Sequence, residues 1–136
     1  MMQRVFIDTN LLIYYFSDDA IKSPLAEKLL NDSKYIFVTS TQVLSELLNV
    51  LQRKQIRDIS QLKGYLAEIK SSFEIVSFDT HDLEIALGIK SKYKLSYYDS
   101  LIVTNALTSQ CSILYSEDMH HHLKIEKKLT IVNPFK

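Results

Sequence analysis

Five short runs rich in β-branched and aromatic residues recur along the chain: Arg4 to Ile7, Tyr35 to Val38, Phe73 to Val76, Ser112 to Tyr115 and Leu129 to Val132. Each reads as a strand, and their nearly continuous apolar character predicts burial on both faces. Between them, apolar residues return at three- and four-residue spacing. Leu44, Leu47, Leu48 and Leu51 form one such row, Ile59, Leu62, Leu66 and Ile69 a second, and Ile102, Val103, Ala106 and Leu107 a third. That spacing puts an apolar stripe on each of three helices. Strands separated by helical crossovers return in the same direction, so the expected fold is α/β, with a mainly parallel five-stranded sheet flanked by helices. No linker, repeat or low-complexity tract interrupts the alternation, and residues 1–136 read as a single domain.

Ligands of open α/β sheets bind outside the carboxyl ends of the strands, which directs attention to acids placed there. Asp8 follows the first strand in Val5-Phe6-Ile7-Asp8-Thr9-Asn10, and Asp118 follows the fourth in Leu114-Tyr115-Ser116-Glu117-Asp118. Two further acids fall on helices. Glu46 belongs to the row Val43, Glu46, Val50 at the edge of an apolar stripe, and Asp99 stands in register with Ile102, Val103 and Ala106. An ionised carboxylate on such a face is costly unless it shifts its pKa, pairs or binds a metal. No Lys or Arg lies within the immediate motifs of Asp8, Asp99 or Asp118. An all-carboxylate set suits Mg2+ or Mn2+ and the hydrolysis of a phosphodiester. Singly, each acid has a plainer reading: Asp8 and Asp118 as helix N-caps, Ser96-x-x-Asp99 as a capping box, and Glu46 as a boundary residue paired with a distant cation. Asp79 and Asp82 also follow a strand and open a helix, and they are read as caps.

Composition narrows the classes. Hydrophobic residues make up 46% of the 136 and charged residues 24%, as in ordinary globular proteins. The apolar runs are too short to span a bilayer and the first residues lead straight into a strand, so a soluble, cytoplasmic protein with no membrane partner is expected. The single Cys111 excludes an internal disulfide and reads as a packing residue. With two Gly in the chain, neither a P-loop nor a dinucleotide fingerprint is present. Lys+Arg and Asp+Glu are both 16, which removes any overall basic field and makes nucleic-acid contact a local matter. Arg53, Lys54 and Arg57, and again Lys90, Lys92 and Lys94, are the clusters available to phosphates; Lys124, Lys127 and Lys128 form a third run. His120, His121 and His122 read as exposed loop residues, with metal or RNA binding as the alternative.

Taken together, these segments resemble the PIN-domain family, and more closely the VapC-like toxin ribonucleases of toxin–antitoxin pairs. The resemblance rests on Val5-Phe6-Ile7-Asp8-Thr9-Asn10, Ser45-Glu46-Leu47, Tyr98-Asp99-Ser100-Leu101-Ile102-Val103, Leu114-Tyr115-Ser116-Glu117-Asp118-Met119 and the closing Leu129-Thr130-Ile131-Val132-Asn133-Pro134-Phe135. It implies a three-layer sandwich with four acids gathered around one or two Mg2+ or Mn2+ ions. Asp8 and Asp99 are the implied direct ligands, and Glu46 and Asp118 complete the catalytic set directly or through water. Thr9, Asn10 and Ser116 match neighbouring polar positions that orient the carboxylates, although they also read as helix caps. The implied activity is endoribonuclease cleavage of RNA leaving a 5′-phosphate and a 3′-hydroxyl, with a cognate antitoxin and a second copy of the chain as partners. The nearly all-round apolar segment Leu11 to Phe16, or Tyr97 and Tyr98, is the surface offered for them. One departure from the family is the His120 to His122 run, which fills a space where glycine is common.

Other readings fit less well. A haloacid-dehalogenase-type phosphatase needs a second Asp two residues after Asp8, where Asn10 stands. A non-catalytic acidic binding or regulatory α/β module of the receiver type wants an acidic pair that Asp8 lacks. A stand-alone PIN nuclease of RNA processing shares every feature named.

Overall fold

A computed structural model describes residues 2–54 and 58–136. The elements run β1 (Gln3–Ile7), α1 (Thr9–Tyr15), α2 (Lys22–Leu30), β2 (Tyr35–Ser40), α3 (Thr41–Arg53), α4 (Ile59–Ser72), β3 (Glu74–Val76), α5 (Thr80–Tyr93), α6 (Tyr97–Thr108), β4 (Ile113–Tyr115), β5 (Lys124–Ile125) and β6 (Leu129–Val132). Helix starts follow side-chain acceptors. Ser40 Oγ takes the Val43 amide at 3.2 Å, Asp58 takes that of Ser60 at 3.0 Å, and Asp79 and Asp82 form a complete capping box at α5. The reading of Asp79 and Asp82 as caps therefore holds.

The sheet order is β3-β2-β1-β4-β6-β5, with every pairing parallel except β5 on β6. Phe6 of β1 lies between Val38 of β2 and Leu114 of β4. The chain steps outward from β1 to β3, then crosses back to β4 on the other side of β1. Right-handed crossovers in opposite directions put α1 to α4 on one face and α5 and α6 on the other. The core runs through the middle strands, where Val5, Phe6, Ile7, Val38 and Leu114 are fully buried, and Cys111 packs into it as a free thiol. Burial pushes the Cys111 pKa up to about 12, which keeps it an inert thiol.

Three expectations need correction. The sheet has six strands among the described residues, because Lys124–Ile125 adds an antiparallel edge too short for its apolar pattern to register. Two-sided burial holds for the ends of β1 and β2 but not for edge strand β3, nor for β6, which alternates buried and half-buried residues. Helix α2 also lies in a stretch that had no helical row; its Ala26 alone is buried.

Turns that glycine usually makes are built here from other residues. Glu126 and Lys127 are both left-handed, at φ 52° and 57°, and open the three-residue loop between β5 and β6, in which Lys128 N donates to Ile125 O at 3.0 Å. Glu126 is tied to α5: its Oε2 accepts from Lys92 Nζ at 2.6 Å and Tyr93 Oη at 2.7 Å, and its amide donates to Tyr93 Oη at 2.8 Å. Lys127 is exposed and carries the left-handed cost alone. We predict that Lys127→Gly raises stability by about 0.5–1 kcal/mol, read as a higher urea midpoint at unchanged m. A fall would show that Lys127 makes a stabilising contact in solution.

Candidate active site

Three consecutive residues at the end of β1 reach three other parts of the fold. Asp8 N donates to Tyr115 O of β4 at 3.1 Å, while its carboxylate accepts from Thr9 N at 2.7 Å on one oxygen and from Ser116 Oγ at 2.9 Å on the other. Thr9 Oγ1 donates to Glu46 of α3 at 3.1 Å, and Asn10 Nδ2 donates to Asp118 beyond β4 at 2.8 Å. Asp8 is thus the N-cap of α1 as well as a candidate ligand, and Thr9, Asn10 and Ser116 each orient one of the candidate acids. Since β1 and β4 are neighbours on either side of the chain's change of direction, these contacts lie at the topological switch point.

The carboxylates of Asp8, Glu46, Asp99 and Asp118 line one cavity of about 860 Å3. Thr9, Asn10, Gln42, Ser45, Asn49, Phe78, Tyr98 and Ile102 are among its other walls, and no Lys or Arg is found in its lining among the described residues. Asp99 sits in the first turn of α6, where Ser96 Oγ accepts the Asp99 amide at 3.1 Å. The reciprocal half of a capping box, present at α5, is not made here. Asp99 therefore spends its amide on the cap while its carboxylate is left to the cavity.

Burial of these acids differs from the sequence expectation. Asp8 is buried, at 9% exposure. Desolvation pushes its pKa from an ordinary 3.8 to about 6, against the Thr9 and Ser116 hydrogen bonds that stabilise the anion, and the charges of Asp99 and Glu46 add to the rise. Glu46 and Asp118 are exposed and Asp99 is half-buried. The cavity is open to water, so α3 carries Glu46 on its rim, outside the apolar stripe. Asp118 caps no helix either, because bends and turns follow β4 up to β5.

Among the described residues, no three His, Cys, Asp or Glu side chains stand close enough to hold one ion between them. The donor set nevertheless fits a hard divalent cation that keeps much of its water and takes one or two carboxylates, and a buried like-charged Asp8 is a group such a cation would relieve. The histidines lie elsewhere. His121 Nδ1 accepts from Asn133 N at 2.9 Å and its ring stacks on His122 at 3.6 Å, so His121 serves the loop's packing.

Several cavity residues escaped the sequence reading. Gln42, Ser45 and Asn49 form a polar row on α3 beside Glu46, at a helical spacing that was there to be found. Glu117 gave no signal: it accepts from Tyr14 Oη at 2.7 Å and from Lys22, and its carbonyl accepts from Asn133 Nδ2 at 3.2 Å. These bonds anchor the loop that carries Asp118. Of the basic clusters, Arg53 lines a smaller cavity that shares Asn49 with the main one, Lys54 lines a different cavity, Lys92 is engaged by Glu126, and Arg57 lies outside the described residues.

The sequence matches the profile of the PIN domain over residues 5–126. No curated protein sequence gives a significant match. Among solved structures, the fold is similar to the Mycobacterium tuberculosis toxin VapC20, which cleaves the sarcin–ricin loop, with a TM-score of 0.70 at 16% identity over 84% of this chain and 89% of that one. A toxin–antitoxin complex from Klebsiella pneumoniae matches at 0.72 and 19% identity over 96% and 97% of the two chains. VapBC2 from Rickettsia felis, bound to promoter DNA, matches at 0.68 and 17% over 95% and 97%.

A carboxyl raised by burial lowers stability once it ionises. Between the ordinary 3.8 and the folded value of about 6 the folded state holds the extra proton, so stability falls as pH rises through that window and stays low above it. Asp8→Asn keeps an acceptor for Thr9 N and removes the charge. In EDTA at pH 7 the variant should be more stable than the parent by about 1–3 kcal/mol, with the gap closing towards pH 4. Urea denaturation across that range measures it, and a gap independent of pH would remove the buried charge as its cause.

Proposed function

Because the chain belongs to the PIN-domain family, we propose that residues 1–136 act as one metal-dependent endoribonuclease domain, the toxin of a toxin–antitoxin pair. The observation that carries the proposal is the convergence of Asp8, Glu46, Asp99 and Asp118 on one open cavity at the switch point of the sheet, with no Lys or Arg in its described lining. Asp8 and Asp99 would hold Mg2+ or Mn2+, with Glu46 and Asp118 completing the set. When bound, the ion supplies Lewis-acid activation of the scissile phosphodiester and of the attacking water.

The chain's own residues account for the rest. Thr9 N and Ser116 keep the Asp8 carboxylate aimed and favour its charged form; Thr9 Oγ1 restrains Glu46; Asn10 restrains Asp118. Fixed carboxylates of this kind hold a cation in place without reorganising as the reaction proceeds. Beyond Asn49, Arg53 offers a cation for a phosphate further along the same RNA strand, two helical turns from Glu46. A cation placed there would let a chain of zero formal charge bind RNA locally. A protein antitoxin is the expected partner, as in the toxin–antitoxin complexes that share the fold, and a homodimer the expected assembly. None of the described helices is long and apolar enough to cross a membrane.

Purified protein should cleave a pool of structured RNAs in Mg2+ or Mn2+ and not in EDTA. Asp8→Asn and Asp99→Asn should each lower the rate by at least about a hundredfold. Ser116→Ala and Asn10→Ala should lower it by about tenfold, the usual scale for groups that orient a ligand. Cleavage that persists in both carboxylate variants would overturn the assignment. Separately, Arg53→Ala should reduce the slope of log affinity against log salt by about 0.7, the loss of one phosphate contact on a single strand. An unchanged slope would take Arg53 off the RNA path.

A further inference from the structure

The cavity has two walls that neither an ion nor a phosphate needs. Phe78, in the loop that follows β3, is 37% exposed, and Tyr98, in the first turn of α6 beside Asp99, is 68% exposed. Both line the acid cavity and both are exposed, outside the buried hydrophobic core. Tyr98 meets Tyr97 in a T-shaped contact at a ring separation of 5.4 Å, and Gln42 Nε2 donates from α3 to its carbonyl at 3.5 Å. Large aromatic rings left in water beside a polar site forgo favourable burial unless a ligand covers them.

Charge narrows the choice of ligand. Four acids repel a polyanion, and an ion held among them compensates only the phosphate at the cut. Within a described lining that holds no Lys or Arg, the nucleotides beside the cut need a source of affinity besides charge. Stacking of bases on aromatic rings supplies that, and it tolerates sequence because every base has a π face. Resting on the nuclease reading above, we propose that Phe78 and Tyr98 are base-stacking residues that hold the nucleotides flanking the scissile phosphate. Paired bases are already stacked within a helix, so the two rings restrict cleavage to unpaired RNA. The cavity's volume of about 860 Å3 has room for a nucleotide as well as a hydrated ion.

Binding separates this from the chemistry. Fluorescence anisotropy would follow a fluorescein-labelled single-stranded oligoribonucleotide, the same strand with an abasic centre, and its duplex, all with Asp8→Asn protein in Mg2+ so that nothing is cut. Phe78→Ala and Tyr98→Ala are added to that background, together with Phe78→Tyr and Tyr98→Phe, each checked for an unchanged melting transition. We expect each alanine to weaken binding of the intact strand by about fivefold or more and to leave the abasic strand unaffected. The aromatic exchanges should stay within about twofold of the parent, and the duplex should bind no better than the abasic strand.

Equal affinity for intact and abasic strands, or alanine variants that bind like the parent, would overturn the proposal and give the rings to a protein partner. Equal losses on both strands would reduce them to structural residues, and a parent that binds none of the strands would also refute it. Failure of the nuclease reading shows separately, as wild-type protein that cuts no RNA while base-dependent binding remains.

Discussion

A carboxylate at the end of a central strand, nine-tenths withdrawn from water and faced by other acids, is the constraint on which the site depends. The position follows from the sheet: β1 lies between β2 and β4, so its last residues have no route to solvent except past the ends of its neighbours. Two hydrogen bonds favour the charged form of Asp8, yet burial outweighs them and leaves the carboxyl near a pKa of 6. The folded chain therefore holds a charge it does not fully solvate. Under the proposed function a divalent cation would relieve this deficit, and the charges of Asp99 on α6 and Glu46 on α3 enlarge it.

Helix capping sets out two of the four acids, Asp8 and Asp99. At α5, Asp79 and Asp82 bond reciprocally and neither lines the cavity. At α6, Ser96 caps through the Asp99 amide and releases the Asp99 carboxylate. At α1, Asp8 caps with one oxygen and takes Ser116 with the other, while Thr9, the first residue of the helix, uses its hydroxyl on Glu46. The same local grammar produces a terminus turned away from the cavity in one helix and a terminus that lines it in two others. Which side of the cap the carboxylate faces makes the difference.

That distinction is also what the sequence could and could not convey. The five longer strands and the three helices with apolar rows were legible because periodicity determines them, Asp8 and Asp118 because they stand at strand ends, and the gathering of all four acids because the family resemblance implies it. The pairing of Asp8 with Ser116, 108 residues away, was legible only as two polar residues at equivalent strand ends. Burial was not legible residue by residue. Glu46 was expected at a costly apolar edge and lies in water, because whether a helix flank is covered depends on what packs across from it. Strand β5, two residues long, and helix α2, with one buried residue, carry too little pattern to announce themselves. Glu117 is fixed by Lys22 and Tyr14 through contacts that only the folded chain creates.

The borders of the sheet bear on how the protein assembles. On one side, β5 is two residues long and ends in a strongly twisted left-handed turn, with Lys124, Lys127 and Lys128 along it. On the other, β3 spans three residues and begins at Glu74, locked by Arg4 in a paired contact at 2.8 and 2.9 Å. Brief, twisted and charged borders of this sort are poor templates for an incoming strand. Aggregation through edge-to-edge extension is discouraged at both ends, which leaves the helix surfaces as the ground on offer to a second polypeptide.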